Sequence, residues 1–192
     1  MITAMPQTLE KRWTAAEVRA LQEQDPSHRY QVVDGELLVS PGPVPQHQRC
    51  VKLLMLHLDP FVERLRFGEL FMGPGEVVPD DFTTMQPDVF VVPAEEVSRA
   101  GNGAEFRRLA LACEVLSPST ARFDRVKKRP KYQAMGATYW IFDMDARVVE
   151  CWRPGASQPT IHDDVVTWHP DGAPEPFVLD LVSFFQKVHR EG

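Results

Sequence analysis

The stretch that most constrains this chain runs from Leu111 to Asp143, LACEVLSPSTARFDRVKKRPKYQAMGATYWIFD. It sets a short apolar run, a Ser/Pro/Thr loop, a basic segment and a second apolar run, Tyr139–Phe142, in that order. That is a strand–loop–helix–strand pattern. Glu114 stands inside the first apolar run, between Cys113 and Val115. A carboxylate among buried neighbours has to be paired, metal-bound or neutralised, because burying a lone charge costs several kcal/mol or more. A second acid, Asp88, leads another apolar run in QPDVFVV. If the two runs are neighbouring strands, both carboxylates meet at one sheet edge. Oxygen ligands of this kind suit Mg²⁺ or Mn²⁺, which one or two carboxylates hold with waters. The alternative stays open at this point: Asp88 capping a turn after Pro87, and Glu114 paired with an arginine.

Lys127, Lys128 and Lys131 follow within one or two helical turns of the loop after Glu114. A lysine there could orient or deprotonate a metal-bound water, or stabilise charge on a phosphoryl group. As a bare pattern, the run equally describes a solvated helix face. The segment after Ser117-Pro118 predicts a helix from about Ala121 or Arg125 to Met135, with Gly136 as its C-cap; Pro130 fits best in the first turn of a helix starting near Lys127 or Lys128, or it marks a bend.

The rest of the pattern describes one α/β domain with a mixed sheet, spanning residues 1–192, with Met1–Arg12 as a loose tail. Thr14-Ala-Ala-Glu17 is a capping box opening a short helix that ends before Asp25-Pro26. Asp34-Gly35 between Tyr30–Val33 and Glu36–Val39 predicts a tight hairpin. Val51, Leu54, Met55, Leu58, Val62 and Leu65 form one helical face, with a kink or break expected near Asp59 because Pro60 follows. Short strands are expected around Leu70–Met72, Glu76–Val78, Val89–Val92, Leu109–Leu116, Val148–Trp152, Pro159–His162 and Val165–Trp168. Ala94–Ala100 predicts a short helix ending at Gly101. A last helix places Leu181, Val182, Phe185 and Val188 on one side.

Composition excludes several classes. No apolar run approaches the length of a membrane span, and no secretory leader is visible. Cys50, Cys113 and Cys151 are widely spaced and read as reduced thiols in a cytoplasmic protein. The net charge of −6 argues against a generally basic nucleic-acid-binding surface. Phosphate-loop, dinucleotide, zinc-protease and serine-hydrolase motifs are absent. Gly101-Asn102-Gly103 reads as a loop and His162-Asp163-Asp164 as a solvated hairpin tip. Ser117 and Ser119 read as turn or capping residues.

Three segments together, YQVVDGELLVSPGPVPQHQ, QPDVFVV and EVLSPSTARFDRVKKRPKYQAMGATYWIFD, resemble the Uma-two family of restriction endonucleases, a branch of the PD-(D/E)XK nuclease superfamily. The likeness covers roughly Thr14 to Trp152. It implies a restriction-endonuclease-like core with an added N-terminal β-hairpin, and a Mg²⁺-dependent (or Mn²⁺-dependent) endonuclease acting on DNA. Asp88 and Glu114 match the metal-binding acids, with the Val115 carbonyl as a further ligand. Leu116 stands where the superfamily's lysine usually is. The family carries its lysine on the next helix, in a D-x-x-x-K-x-x-x-Y spacing that Asp124, Lys128 and Tyr132 fit. Glu36 and His47 also match family positions and would line the cleft with Tyr132. Nucleases of this kind often act as homodimers. The alternative function is a non-catalytic module that keeps the fold and binds nucleic acid or protein.

Overall fold

The computed structural model describes residues 11–100 and 106–191. Most of the Met1–Arg12 tail and the Gly101–Gly103 loop lie outside the described residues. Helix α1 (Ala15–Gln24) is closed by the capping box: Thr14 Oγ1 accepts the Glu17 N–H, and the Glu17 carboxylate accepts the Thr14 N–H. Strands β1 (His28–Val33) and β2 (Glu36–Pro41) pair antiparallel around Asp34 and Gly35, at φ 53° and 85°. This is the positive-φ turn that Asp-Gly favours.

Helix α2 runs unbroken from Pro45 to Leu65 through Pro60, so the break expected near Asp59 does not occur. Pro60 is on the solvent side, as is Leu56, whose carbonyl loses its donor. Water can serve that carbonyl, while Leu54, Leu58, Phe61 and Val62 keep the buried face continuous.

Six strands form the central sheet in the order β10 (Thr160–His162), β9 (Val148–Trp152), β8 (Thr138–Asp143), β7 (Leu111–Val115), β6 (Val89–Pro93), β3 (Gly68–Met72). All neighbours are antiparallel except β7 and β8. The parallel pair is joined by the helical segment that follows Glu114. Both faces are covered, which explains the nearly continuous apolar runs. Val89, Val91, Leu111, Cys113, Val115, Trp140 and Phe142 face α2 and α6 (Leu181–His189). Phe90, Val92, Ala112, Tyr139 and Ile141 face the opposite core with Tyr132. A four-stranded sheet, β2-β1-β5-β4, adds the N-terminal hairpin, β4 being Val77–Asp80 and β5 Thr83–Met85. A ribbon of β11 (Val165–Trp168) and β12 (Phe177–Asp180) packs beside α6. In α6 it is Phe184, not Val182, that completes the buried side; Val182 is exposed.

No helix among the described residues is long and apolar enough to cross a membrane. All three cysteines are free and buried.

Helix α3 (Ala94–Ala100) carries a local anchor. Glu96, 4% exposed, accepts from Arg99 Nε and Nη2 at 2.8 and 2.7 Å and from the Arg107 N–H at 2.5 Å. The Arg99 bonds, against the opposing effect of burial and with the help of Arg107, hold its carboxyl at about 2 against an ordinary 4.5. A depressed carboxyl contributes stability above its unfolded value and loses it as pH falls. The acid limb of stability between about pH 4.5 and 2 is therefore expected to flatten in Glu96→Gln. Arg99 is half in solvent, so the cost at neutral pH is about 1–2 kcal/mol. Urea titrations of both proteins across that range check this; parallel pH curves would contradict it.

Candidate active site

Asp88 sits one residue before β6, and its N–H still bonds the Cys113 carbonyl across the sheet, at 3.1 Å. Its Oδ2 accepts the Val115 N–H at 2.9 Å. The side chain is thereby fixed against the end of β7, beside Glu114. Glu114 is the residue of β7 whose side chain alternates away from Cys113 and Val115, onto the face shared with Ala112 and Ile141. The strand period thus puts the acid on the side of the following helix.

That helix is built in three parts: α4 (Ala121–Phe123), a π-helical turn (Asp124–Lys128) and α5 (Arg129–Ala134). The wide turn closes with the Arg129 N–H on the Asp124 carbonyl. Pro130, which has no N–H, follows at the start of α5, where a missing donor costs least. Asp124, Lys128 and Tyr132 are all buried and form one cluster around Glu114. Lys128 Nζ donates to Glu114 Oε1 at 2.9 Å, and the Tyr132 hydroxyl donates to the same oxygen at 2.8 Å. Lys128 Nζ also lies 2.9 Å from Asp124 Oδ1, a close charge contact off the hydrogen-bonding angle. Lys128 and Tyr132 of the D-x-x-x-K-x-x-x-Y spacing therefore converge in space on Glu114, with Asp124 behind Lys128, and the acid's partner is a lysine, not an arginine.

Burial, more than the neighbouring charges, weakens the Glu114 acid. It pushes the carboxyl up to about 7, with Lys128 opposing and Asp124 and Asp88 assisting. Burial also acts against the Lys128 ammonium, but Asp124 and Glu114 outweigh it and the group is held protonated more firmly than usual. The two effects differ because one base serves two acids. The proton that this cluster exchanges most readily is the one on Glu114. At Asp88 burial pushes up, and the His47 contact, the Arg29 charge and the Val115 N–H together overcome it and hold the carboxyl low.

His47 Nε2 is 3.1 Å from Asp88 Oδ2, while its Nδ1 is buried with no partner among the described residues. Arg29, from the added hairpin, donates to Asp88 Oδ1 at 3.2 Å. Asp88, Glu114, Val115, His47, Arg29 and Lys128 line one cavity of about 500 Å³. Its walls are the loops Ser40–Gln46 and Leu116–Ala121, with Asp143–Asp145 beyond. The sequence reading thus brings Asp88, Glu114, Val115, Lys128 and His47 into one place. Tyr132 stands behind Glu114, not in the cavity wall. Glu36 does not line the cavity; it is exposed and paired with Lys127 at 2.6 Å. Ser117 and Ser119 behave as turn residues, with Ser117 Oγ 3.1 Å from Ser119 Oγ and 2.9 Å from Thr120 Oγ1. Arg29 and Arg125 were not foreseen. Arg125 pairs with Glu150 and lies 3.4 Å from Asp143.

Among the described residues no group of three or more His, Cys, Asp and Glu side chains forms a metal cage. Mg²⁺ does not need one: it usually takes one or two carboxylates and keeps waters or substrate phosphate oxygens. The donors present fit such an ion. Asp88, Glu114, Asp143 and Asp145 are four acids in the cavity wall, together with the cations Arg29, Arg125 and Lys128 and the His47 ring.

The comparisons agree with this architecture. The crystal structure of a "putative nuclease belonging to DUF820" from Anabaena variabilis ATCC 29413 superposes with a TM-score of 0.70 at 19% identity, over 83% of this chain and 91% of that one. At that identity the likeness establishes the fold, a mixed central sheet flanked by helices. A comparison with curated proteins returns no match. The family model Uma2, described as "Putative restriction endonuclease", matches residues 15–181, and the chain belongs to that family.

Proposed function

We propose that the protein is a Mg²⁺- or Mn²⁺-dependent endonuclease that hydrolyses phosphodiester bonds in DNA. The observation that carries this reading is the meeting of Asp88 and Glu114 in one cavity, with Lys128 bonded to Glu114. The family and the fold of the Anabaena nuclease support it. Asp88, Glu114 and the Val115 carbonyl would hold the cation. When bound, such an ion supplies an acidified water and offsets charge on the phosphate.

The protein's own groups then have separable tasks. The Val115 N–H and His47 fix one oxygen of Asp88, so the carboxylate arrives pre-oriented. Lys128 is held charged by two acids, so it cannot take a proton from water. Its role is to donate a hydrogen bond, orienting the water or meeting charge on the phosphate. The Tyr132 hydroxyl and Lys128 fix Glu114 through the same oxygen. The reaction forms a bond from water oxygen to phosphorus and breaks the bond to the leaving oxygen; the attacking water passes a proton to solvent, and the leaving oxygen takes one from solvent.

Calorimetric titration with Mn²⁺ tests the metal assignment. Wild type is expected to bind one ion and Glu114→Gln to lose most of the affinity. Binding must ionise Glu114, so it should release protons and strengthen as pH rises through about 7. Equal binding by both proteins would remove Glu114 from the site.

A further inference from the structure

Arg29 belongs to the added hairpin, not to the nuclease core, yet it reaches the first metal-binding acid. It is fixed at three points. Nη2 donates to the Gln86 carbonyl at 2.7 Å, Nε to Gln86 Oε1 at 3.3 Å and Nη1 to Asp88 Oδ1 at 3.2 Å. The division of labour at Asp88 is clear. Val115 and His47 both take Oδ2. Among the described residues Arg29 alone donates to Oδ1. Its side chain is 23% exposed and lines the cavity, so solvent and substrate can reach it.

A guanidinium on a carboxylate oxygen uses the lone pairs a cation would use, and its charge repels a cation nearby. We propose that Arg29 is a positioning residue that holds Asp88 Oδ1 in the metal-free protein and competes with the divalent cation for it. Metal loading then has to share or release this contact. The guanidinium that gives up Oδ1 keeps its Gln86 anchors and remains at the cavity wall, where a phosphate is the natural partner for its planar donors. This inference rests on the metal reading of the Asp88 and Glu114 site.

The test is Mn²⁺ titration by calorimetry on wild type, Arg29→Met, Arg29→Gln and Arg29→Lys, with thermal melts to show that each variant is folded. Loss of the positive charge is expected to tighten Mn²⁺ binding about tenfold in Arg29→Met, with one ion bound as before. Arg29→Gln keeps an amide donor for the Gln86 carbonyl and should show the same gain, which covers the case of an unstable methionine variant. Arg29→Lys, still charged, should stay near wild type. A purely structural Arg29 would leave Asp88 misplaced, and affinity would fall or stay unchanged in the neutral variants; that result overturns the inference. Metal binding in wild type without tightening in either neutral variant contradicts this inference alone. No metal binding in any of the four proteins contradicts the metal reading as well.

Discussion

Lys128→Met is expected to cost about 3–5 kcal/mol of stability at pH 8, the usual penalty for leaving buried charges without their partner. Lys128 is 1% exposed and sits between Glu114 and Asp124, at 4% and 1%. Methionine fills the space but removes the only cation in contact with the pair among the described residues. The Tyr132 hydroxyl still serves Glu114, while Asp124 loses the ammonium beside it. The loss should also depend on pH, and its sign follows from Glu114. That carboxyl is already raised, to about 7 against 4.5, so the folded protein holds a proton that the unfolded chain releases. A raised carboxyl favours the fold below its unfolded value and loses that contribution as pH rises through the folded one. Without Lys128 the carboxyl rises further. The variant should therefore be closest to wild type near pH 5 and furthest from it near pH 8. Chemical denaturation at the two pH values checks this. A loss under 1 kcal/mol at pH 8 would mean that the cluster is solvated and the lysine dispensable to the fold.

On the proposed function, Asp88→Asn is expected to reduce metal-dependent cleavage by about a thousandfold or more, since it would remove one of the two proposed anionic ligands and its charge. The substitution is nearly isosteric. An asparagine carbonyl oxygen can still accept the Val115 N–H, so the end of β7 should stay in place; the amide nitrogen then takes the Oδ1 position, and Arg29 keeps only its Gln86 contacts. His47 is informative here. Burial lowers its basicity, but the Asp88 contact outweighs this and holds the ring's affinity for a proton above the ordinary value. In Asp88→Asn that support is gone, and the His47 pKa should fall, which ring-proton NMR titration can follow. A variant that melts like wild type, shows the lowered histidine and retains cleavage would take Asp88 out of the chemistry.

Where the sequence carries a local rule, the fold could be read directly. The Thr14–Glu17 box, the Asp34-Gly35 turn and the two faces of β6 and β7 follow from capping, positive φ and strand period, and they place Glu114 on the helix side. Both acids were visible because carboxylates inside apolar runs need a reason. Strand β5 has little signal because it is three residues long and is tied to β1 through Val32 and Thr84, far away in sequence; β12 pairs locally with β11 but is only four residues long and runs straight into α6. Pro60 misled because the rule about proline concerns a lost donor, and here the orphaned carbonyl faces water. Val182 and Phe184 trade places because a short amphipathic helix has a wide apolar arc, and its centre is selected by packing, with Phe184 against His57 of α2 and Phe142 of β8. Arg29 had no signal at all. It reaches Asp88 across 59 residues of sequence, and nothing in a strand reading HRYQVV says which side chain will cross to another sheet. The π-helical turn was hinted at by Pro130 alone.

Asp88 and Glu114 are proposed to hold a cation for phosphodiester hydrolysis. The most direct measurement is cleavage of plasmid and single-stranded DNA by the wild-type protein, with Mg²⁺ or Mn²⁺ and with excess chelator. Glu114→Gln, prepared identically, is the control. Cleavage by wild type that needs the cation and disappears in the variant is the expected result. Cleavage that survives both chelation and the substitution would contradict it.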